Sequence, residues 1–245
     1  SMTIALGNTR IPRIGLGTFR LRGREATRLV EKALADGYRH IDTARMYGNE
    51  AEIGTGIANS AVPAEDVFVT TKVWPDNFRR RKLLREVDAS LKALQRESID
   101  LLLLHWPSKS VPITKTLDAL AEVVDAGKAR HVGLSNFTRA LIAEAEQHSR
   151  VPLLANQVEY HPFLDQRAMR AFLAERDMAL IAYAPLAQGR VVGHPTIREI
   201  AANHDATDGQ IALAWLLQAP NTAAIPKTAN PERLTENLGA TAITL

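Results

Sequence analysis

The feature that most constrains the fold is a repeated unit in which a short apolar segment is followed by a longer amphipathic one. Strands are predicted at residues 39–43, 67–73, 100–105, 130–135, 155–158, 179–183, 222–225 and 241–245. Helices are predicted at residues 25–36, 50–59, 82–95, 113–126, 139–147, 166–176, 196–203, 210–218 and 231–238. Residues 101–104 are consecutive leucines, a pattern typical of a parallel strand that is buried on both faces. Eight such units favour a closed (β/α)8 barrel over an open sheet.

The residues between these segments agree with this assignment. Gly37 and Gly127 stand where helices are expected to end, and Asn230 before Pro231 is a typical helix start. Residues 4–14 come before the first unit and contain a turn sequence, so we expect a β-hairpin that closes one end of the barrel. No flexible linker is evident, and we expect residues 1–245 to form a single domain.

Composition excludes several classes of protein. With 46% hydrophobic and 23% charged residues in 245, the chain has the composition of a globular protein. No apolar run approaches the ~18 residues of a membrane span, and the first residues do not form a signal peptide pattern. The sequence contains no cysteine, which rules out disulfides and thiolate chemistry. A net charge of +3 does not demand a nucleic-acid partner, and we predict a cytoplasmic monomer that acts on a small molecule.

Four polar residues stand at the carboxyl ends of adjacent predicted strands. Asp42 lies near the end of the strand at residues 39–43 and Tyr47 follows it, Lys72 lies near the end of the strand at 67–73, and His105 ends the strand at 100–105. Because barrel enzymes carry their chemistry at the carboxyl ends of the strands, we expect these side chains to lie at one end of the barrel. No group of histidines has the spacing of a metal site.

Each of these residues also has a simpler interpretation. Asp42 and Lys72 could form a structural salt bridge between neighbouring strands. His105 could be a hydrogen-bonded core histidine, and Tyr47 could serve in packing. A lone Lys72 at a strand end could instead form a Schiff base with a carbonyl substrate. The presence of all four at the same edge favours a catalytic group.

A set of short motifs, in order along nearly the whole chain, resembles the aldo-keto reductases. These motifs are residues 15–18 (GLGT), 42–44 (DTA), 47–50 (YGNE), 71–74 (TKVW), 104–107 (LHWP), 133–137 (GLSNF), 156–162 (NQVEYHP) and 225–228 (IPKT). Within that family the sequence is most similar to the prokaryotic 2,5-diketo-D-gluconate reductase group. The resemblance implies a (β/α)8 barrel that reduces carbonyl groups with NADPH and without a metal. By matching position, it implies a catalytic tetrad of Asp42, Tyr47, Lys72 and His105.

The resemblance also implies a role for each member of the tetrad. Tyr47 would be the general acid that protonates the carbonyl oxygen as hydride is added. A free tyrosine has a pKa of about 10, and the ammonium of Lys72 would lower that pKa. Asp42 would hold Lys72 in place and in its protonated form. His105 would donate a hydrogen bond to the substrate oxygen and orient the carbonyl.

Cofactor contacts follow from the resemblance in the same way. They comprise Ser135, Asn136 and Gln157 on the carboxamide, Tyr183 stacked on the nicotinamide ring, and Leu186 in a loop beside the pyrophosphate. At the other end, Lys227, Thr228 and Arg233 would bind the 2′-phosphate, with Glu236 and Asn237 against the adenine. Alternatively, Ser135 and Asn136 cap the next helix, Tyr183 packs in the core, and Arg233 and Glu236 form an exposed helix pair.

The substrate is the least constrained part of the prediction. Phe19, Trp74 and Trp106 are the pocket candidates, together with Phe78, and their alternative role is ordinary packing. The resemblance implies one more helix and a tail after Leu245, which we expect this chain to lack. Candidate substrates are a small oxidised sugar such as 2,5-diketo-D-gluconate and a general aldehyde such as methylglyoxal. Two other functions remain open: a non-catalytic NADPH-binding regulatory module, and a lyase that forms a Schiff base on Lys72.

Overall fold

The computed structural model describes residues 2–245. Its strands are β1 (Thr3–Leu6), β2 (Thr9–Pro12), β3 (Leu16–Gly17), β4 (His40–Asp42), β5 (Phe68–Val73), β6 (Ile99–Leu104), β7 (Ala129–Ser135), β8 (Leu153–Glu159), β9 (Ala179–Tyr183) and β10 (Thr222–Ala224). Its helices are α1 (Gly23–Asp36), α2 (Glu50–Asn59), α3 (Arg80–Leu94), α4 (Ile113–Asp125), α5 (Arg139–His148), α6 (Arg167–Ala174), α7 (Pro195–Asn203), α8 (Asp208–Leu216) and α9 (Pro231–Leu238).

The predicted (β/α)8 barrel is confirmed. Strands β3 to β10 form one parallel sheet in chain order, and α1 to α9 lie between or after them. The sheet curls until its two edges meet beside a bridge between Ile14 and Ala224. There the Gly15 N–H donates to the Ala224 carbonyl at 2.9 Å, and the Ala224 N–H donates to the Arg13 carbonyl at 2.8 Å. These bonds satisfy backbone groups that an open sheet would leave unpaired at its edges.

One predicted strand is wrong. Residues 241–245 do not join the barrel, because a 3-10 turn over Gly239–Ala242 follows α9 directly. The eighth strand is instead β3, near the start of the chain. Two residues are too few to produce a hydrophobic period, so the sequence pattern could not reveal this strand. Only glycine fits at position 17 of this strand, because a Cβ there would lie 2.7 Å from the carbonyl oxygen of Ile225.

The predicted hairpin is confirmed as the antiparallel pair β1–β2. Its buried side chains, including Ile4 and Ile11, pack in one cluster with Leu101 and Leu103 from inside the barrel. The alternate residues Leu102 and Leu104 belong to the outer cluster that the helices cover. The leucine run is therefore buried on both faces of β6, and the hairpin fills the end of the barrel at which the strands begin. Side chains at the opposite end are left to build a site.

Several helix boundaries follow capping signals in the sequence. Gly37 ends α1 in the left-handed region with a φ of 113°, which a residue with a side chain rarely adopts. Thr207 and Gln210 form a capping box at the start of α8, and the side chain of Asn230 caps α9. Between residues 2 and 245, no helix combines the length and apolarity that crossing a bilayer requires.

Candidate active site

Lys72 lies at the centre of the group of polar residues at the strand ends. Its side chain is fully buried on β5, and its ammonium nitrogen has three acceptors within hydrogen-bonding distance. These are the Asp42 carboxylate at 2.6 Å, the Thr43 carbonyl at 2.9 Å and the Tyr47 phenol oxygen at 3.2 Å. An ammonium group carries three donors, so each of them has a partner. The structure thus brings Asp42, Tyr47 and Lys72 together, as the sequence predicts.

The charge of Lys72 is maintained by these partners. Burial disfavours the ammonium form, but Asp42 and Tyr47 outweigh burial and raise the pKa of Lys72 above its ordinary value. The second oxygen of Asp42 accepts a hydrogen bond from the side-chain amide of Gln157 at 2.8 Å. The ion pair is therefore fixed on both sides, and Lys72 remains an ammonium at neutral pH.

The pKa of Tyr47 is raised, whereas we expected it from the sequence to be lowered. Burial is the largest cause and raises the pKa of Tyr47 above its usual value. The Lys72 ammonium acts in the opposite direction, as expected, but does not outweigh burial. The phenol is therefore protonated at neutral pH. Because its oxygen accepts from Lys72, its own O–H is left to donate to another group.

His105 follows β6 and lies beside Tyr47 at the same end of the barrel. Its ring lies edge-on to the rings of Tyr47 and Trp74, with centroid distances of 5.8 and 5.1 Å. Burial, and secondarily the charge of Lys72, lower the pKa of His105 to about 3. The imidazole is therefore neutral over the physiological pH range. Its Nδ1 atom is buried and has no hydrogen-bond partner among residues 2–245.

A cavity of about 940 Å³ opens above these residues. This volume lies near the upper end of the usual range for small-molecule and cofactor sites, about 300–1,000 Å³. The predicted site residues that line it are Phe19, Asp42, Tyr47, Trp74, His105, Trp106, Ser135, Asn136, Gln157, Tyr183, Leu186, Lys227, Thr228, Arg233 and Asn237. Lys72 lies behind this surface, and Glu236 does not line the cavity. Phe78 is buried and lines a different cavity, so it is not a residue of this pocket.

Polar side chains at the ends of β7 to β9 form a connected network on the cavity wall. The Tyr183 hydroxyl donates to the Asn136 side-chain oxygen at 2.8 Å, and the Asn136 amide donates to the His105 carbonyl at 3.1 Å. The Ser135 hydroxyl donates to the Gln157 carbonyl at 2.9 Å. The alternative role of Ser135 and Asn136 as helix caps is wrong, because Thr138 caps α5.

Two cationic residues on the cavity wall lack an ion-pair partner. Lys227 and Arg233 line the cavity, and neither forms an ion pair with another residue of the described chain. In particular, Arg233 is not paired with Glu236, which was the alternative interpretation. The side-chain oxygen of Asn237 also lacks a partner there, although this residue is only 2% exposed. The cavity wall therefore offers two cations and a buried acceptor to a ligand.

Two cavity residues, Arg20 and Glu159, were not among the site residues predicted from the sequence. Arg20 and Glu159 both line the cavity, and the Arg20 guanidinium lies over the Phe19 ring, 5.1 Å from its centroid. No local sequence pattern identifies Arg20 as a cavity residue, because the turn after β3 determines where its side chain lies.

Ala184 and Gln188, in the loop after β9, have positive φ angles of 48° and 56°. Such strain in residues with side chains tends to accumulate at functional sites.

Comparisons with known proteins show the family to which this chain belongs. The Aldo/keto reductase family model matches residues 13–245. The chain is 38% identical to methylglyoxal reductase DkgB of Escherichia coli O157:H7, over 94% of this chain and 87% of the relative. It is 37% identical to glyoxal reductase of Bacillus subtilis (strain 168), over 96% and 85% of the two chains. A crystal structure named "a putative 2,5-diketo-D-gluconic acid reductase B" superposes with a TM-score of 0.96 at 44% identity, covering 100% of this chain and 88% of that one. The chain belongs to the aldo-keto reductase family and is an oxidoreductase.

The buried histidines predict how stability depends on pH. His40 on β4 is fully buried, and burial lowers its pKa to about 4, while the pKa of His105 is about 3. An unfolded histidine titrates near 6.5. Between pH 6.5 and 4 the unfolded chain therefore binds more protons, and stability falls as pH decreases. At pH 5 we expect each histidine to cost about 2 kcal/mol relative to pH 7.

Urea unfolding at pH 7 and pH 5 measures this effect. The variant His40→Gln should lose about 2 kcal/mol less than the parent between the two pH values. The exposed His148 provides a matched control, because His148→Gln should lose as much as the parent. An equal loss in His40→Gln and the parent would contradict the assignment of a neutral buried His40.

Proposed function

We propose that this protein reduces an aldehyde or ketone to an alcohol with NADPH, and that Tyr47 is the general acid. One observation carries the proposal: a protonated phenol lies on the cavity wall, 3.2 Å from a buried ammonium and beside a neutral imidazole. The names of the relatives, methylglyoxal reductase and glyoxal reductase, support carbonyl reduction as the reaction.

The residues present fit a phosphorylated dinucleotide. The cavity is large enough, and its wall carries the unpaired cations Lys227 and Arg233, which suit a 2′-phosphate. The buried, unpartnered side-chain oxygen of Asn237 could accept a hydrogen bond from an adenine amino group. We assign Ser135, Asn136 and Gln157 to the carboxamide, and Tyr183 and Leu186 to the walls of the nicotinamide and pyrophosphate sites. Glu236 keeps its predicted role beside the adenine, although it does not line the cavity.

The chain's own residues supply the proton in this scheme. When bound, a reduced nicotinamide supplies the hydride that adds to the carbonyl carbon. Tyr47 donates its phenol proton to the carbonyl oxygen, which completes the alcohol and leaves a phenolate. The Lys72 ammonium stabilises that phenolate, and Asp42 keeps Lys72 charged. His105, neutral at pH 7, donates one ring N–H to the carbonyl oxygen and orients it. Tyr47 then regains a proton from solvent.

The two other candidate functions are less well supported. A Schiff base requires a free amine on Lys72, but the ammonium form of that residue has three acceptors and a raised pKa. A non-catalytic regulatory module would bind NADPH without turning it over. The complete arrangement of acid, ammonium and imidazole favours the enzyme.

Arg20 favours one class of substrate over another. It lies on the cavity beside Phe19, whose ring is 5.2 Å from the Tyr47 ring, and it has no ion-pair partner in the described chain. We therefore propose that the substrate carries an anionic group, as 2,5-diketo-D-gluconate does, in preference to neutral methylglyoxal. Phe19, Trp74 and Trp106 would contact its carbon skeleton.

Three further properties stay predictions from the sequence. They are the single domain over residues 1–245, the monomeric state and the cytoplasmic location. Size-exclusion chromatography with light scattering measures the second of these directly.

Replacing Tyr47 with phenylalanine tests the proposed acid. We expect Tyr47→Phe to lose roughly 10²–10⁴-fold in kcat, because that is the usual contribution of general acid catalysis, while NADPH still binds. The assay is NADPH oxidation with a panel of carboxylated and neutral aldehydes. The control is Tyr160→Phe, which removes a buried hydroxyl bonded to Arg170 away from this cavity and should keep near-parent turnover. Near-parent kcat in Tyr47→Phe would contradict the assignment.

The cofactor assignment predicts a preference that depends on the two cations. Fluorescence titration should give a lower Kd for NADPH than for NADH, and Arg233→Ala should weaken NADPH binding while leaving NADH nearly unchanged. A charge-assisted contact with phosphate contributes about 1.5–3 kcal/mol, so we expect roughly a 10- to 100-fold loss. Lys82→Met removes an exposed lysine of α3 and is the control. Equal affinities of the parent for NADPH and NADH would refute the preference.

A further inference from the structure

A second buried charge lies next to the proposed catalytic group. The Glu50 side chain, at the start of α2, is only 2% exposed. One of its carboxylate oxygens accepts from the hydroxyls of Thr71 and Ser90 at 2.6 and 2.7 Å. The other accepts from the guanidinium of Arg45 at 2.9 Å. A buried carboxylate is costly unless it is paired, and Arg45 is the cation that pairs with Glu50 at this position.

Two of the three partners of Glu50 belong to the segments that carry Tyr47 and Lys72, and the third, Ser90, lies on α3. Arg45 is the first residue of the 3-10 turn Arg45–Tyr47, and Thr71 immediately precedes Lys72 on β5. The carboxylate of Glu50 thus bridges these two segments beside the 3.2 Å contact between the phenol and the ammonium. The side chain of Arg45 does not line the cavity.

The guanidinium of Arg45 also binds a second carboxylate. Its Nε donates to Glu86 of α3 at 2.7 Å, and the other oxygen of Glu86 accepts from the side-chain amide of Asn77 at 2.7 Å. Asn77 ends the short turn Pro75–Asn77, which follows the cavity residue Trp74. A planar guanidinium can hold two carboxylates in a fixed geometry, which a flexible ammonium side chain cannot do. Arg45 therefore connects the turn that carries Tyr47 with α2, α3 and the turn after β5.

We propose that Arg45 is a positioning residue that holds the Tyr47 turn against β5, so that the phenol stays at proton-donating distance from the substrate oxygen. This inference rests on the proposed function of Tyr47. Arg45 acts through the backbone of the turn, since it contacts neither the cavity nor the phenol. Its removal should therefore slow the reaction and leave ligand binding almost unchanged.

The variant Arg45→Met tests this role, because methionine keeps an unbranched apolar stem and removes the guanidinium. We expect kcat to fall roughly 10- to 100-fold, since a misplacement of about 1 Å in a catalytic group can cost that much. KM for an aldehyde and Kd for NADPH should stay within about twofold of the parent, as for a group that acts only in the transition state. The matched control is Arg81→Met, an exposed arginine of α3. An unchanged kcat in Arg45→Met would overturn the proposal.

A double-mutant cycle separates this inference from the proposed function. If Arg45 acts through Tyr47, Arg45→Met should cause no further loss of kcat in a Tyr47→Phe background. An equal loss in both backgrounds would show that Arg45 acts by another route and would overturn the inference. Failure of Tyr47→Phe to lose activity would instead contradict the proposed function itself.

A milder variant covers the case in which Arg45→Met does not fold, as judged by circular dichroism. Glu86→Gln removes the outer carboxylate and leaves the pair of Arg45 and Glu50 intact. We expect a smaller fall in kcat, about three- to tenfold, with KM unchanged. A folded Glu86→Gln variant with parental kcat would count against the proposal.

Discussion

The site depends on an ammonium group that is held inside the barrel. Lys72 is excluded from solvent, and such a charge is tolerated only where every donor is paired. Its three acceptors are the carboxylate of Asp42, the carbonyl of Thr43 and the phenol oxygen of Tyr47. Satisfying Lys72 therefore also determines where Tyr47 lies and leaves its proton free to be donated. The three contacts that make the buried ammonium of Lys72 tolerable are therefore also the contacts on which the proposed chemistry depends.

The barrel provides the surroundings in which this arrangement can persist. The hairpin fills the opposite end with apolar side chains, and the parallel strands bring Asp42, Lys72 and His105 to one end. The second oxygen of Asp42 reaches Gln157, so the ion pair is tied directly to the wall that we assign to the nicotinamide. We propose that this hydrogen bond between Gln157 and Asp42 keeps the general acid and the nicotinamide site in a fixed position relative to each other.

Sequence patterns predicted the parts of this structure that depend on local periodicity and on strand ends. The eight-unit barrel, the hairpin and the gathering of polar residues at one end follow from these patterns. Strand β3 was not predicted, because two residues are too few to show a hydrophobic period. Its Gly17 is required by a close approach to the Ile225 carbonyl oxygen, which belongs to the other end of the chain. The pKa of Tyr47 was expected to fall, but burial, which depends on distant packing, exceeds the effect of Lys72. The contact of Arg45 with Glu86 spans 41 positions and has no local signal.

Replacing the buried ion pair with neutral groups tests the central claim most directly. In the double variant Asp42→Asn with Lys72→Met, no unpaired charge is left in the interior, so the barrel is expected to remain folded. Circular dichroism and an NADPH titration would verify the fold and cofactor binding, and steady-state NADPH oxidation would give kcat. We expect a loss of at least about 10²-fold, because Tyr47 would have lost the cation that stabilises its phenolate. A folded double variant that binds NADPH and reduces aldehydes at the parental rate would contradict the claim.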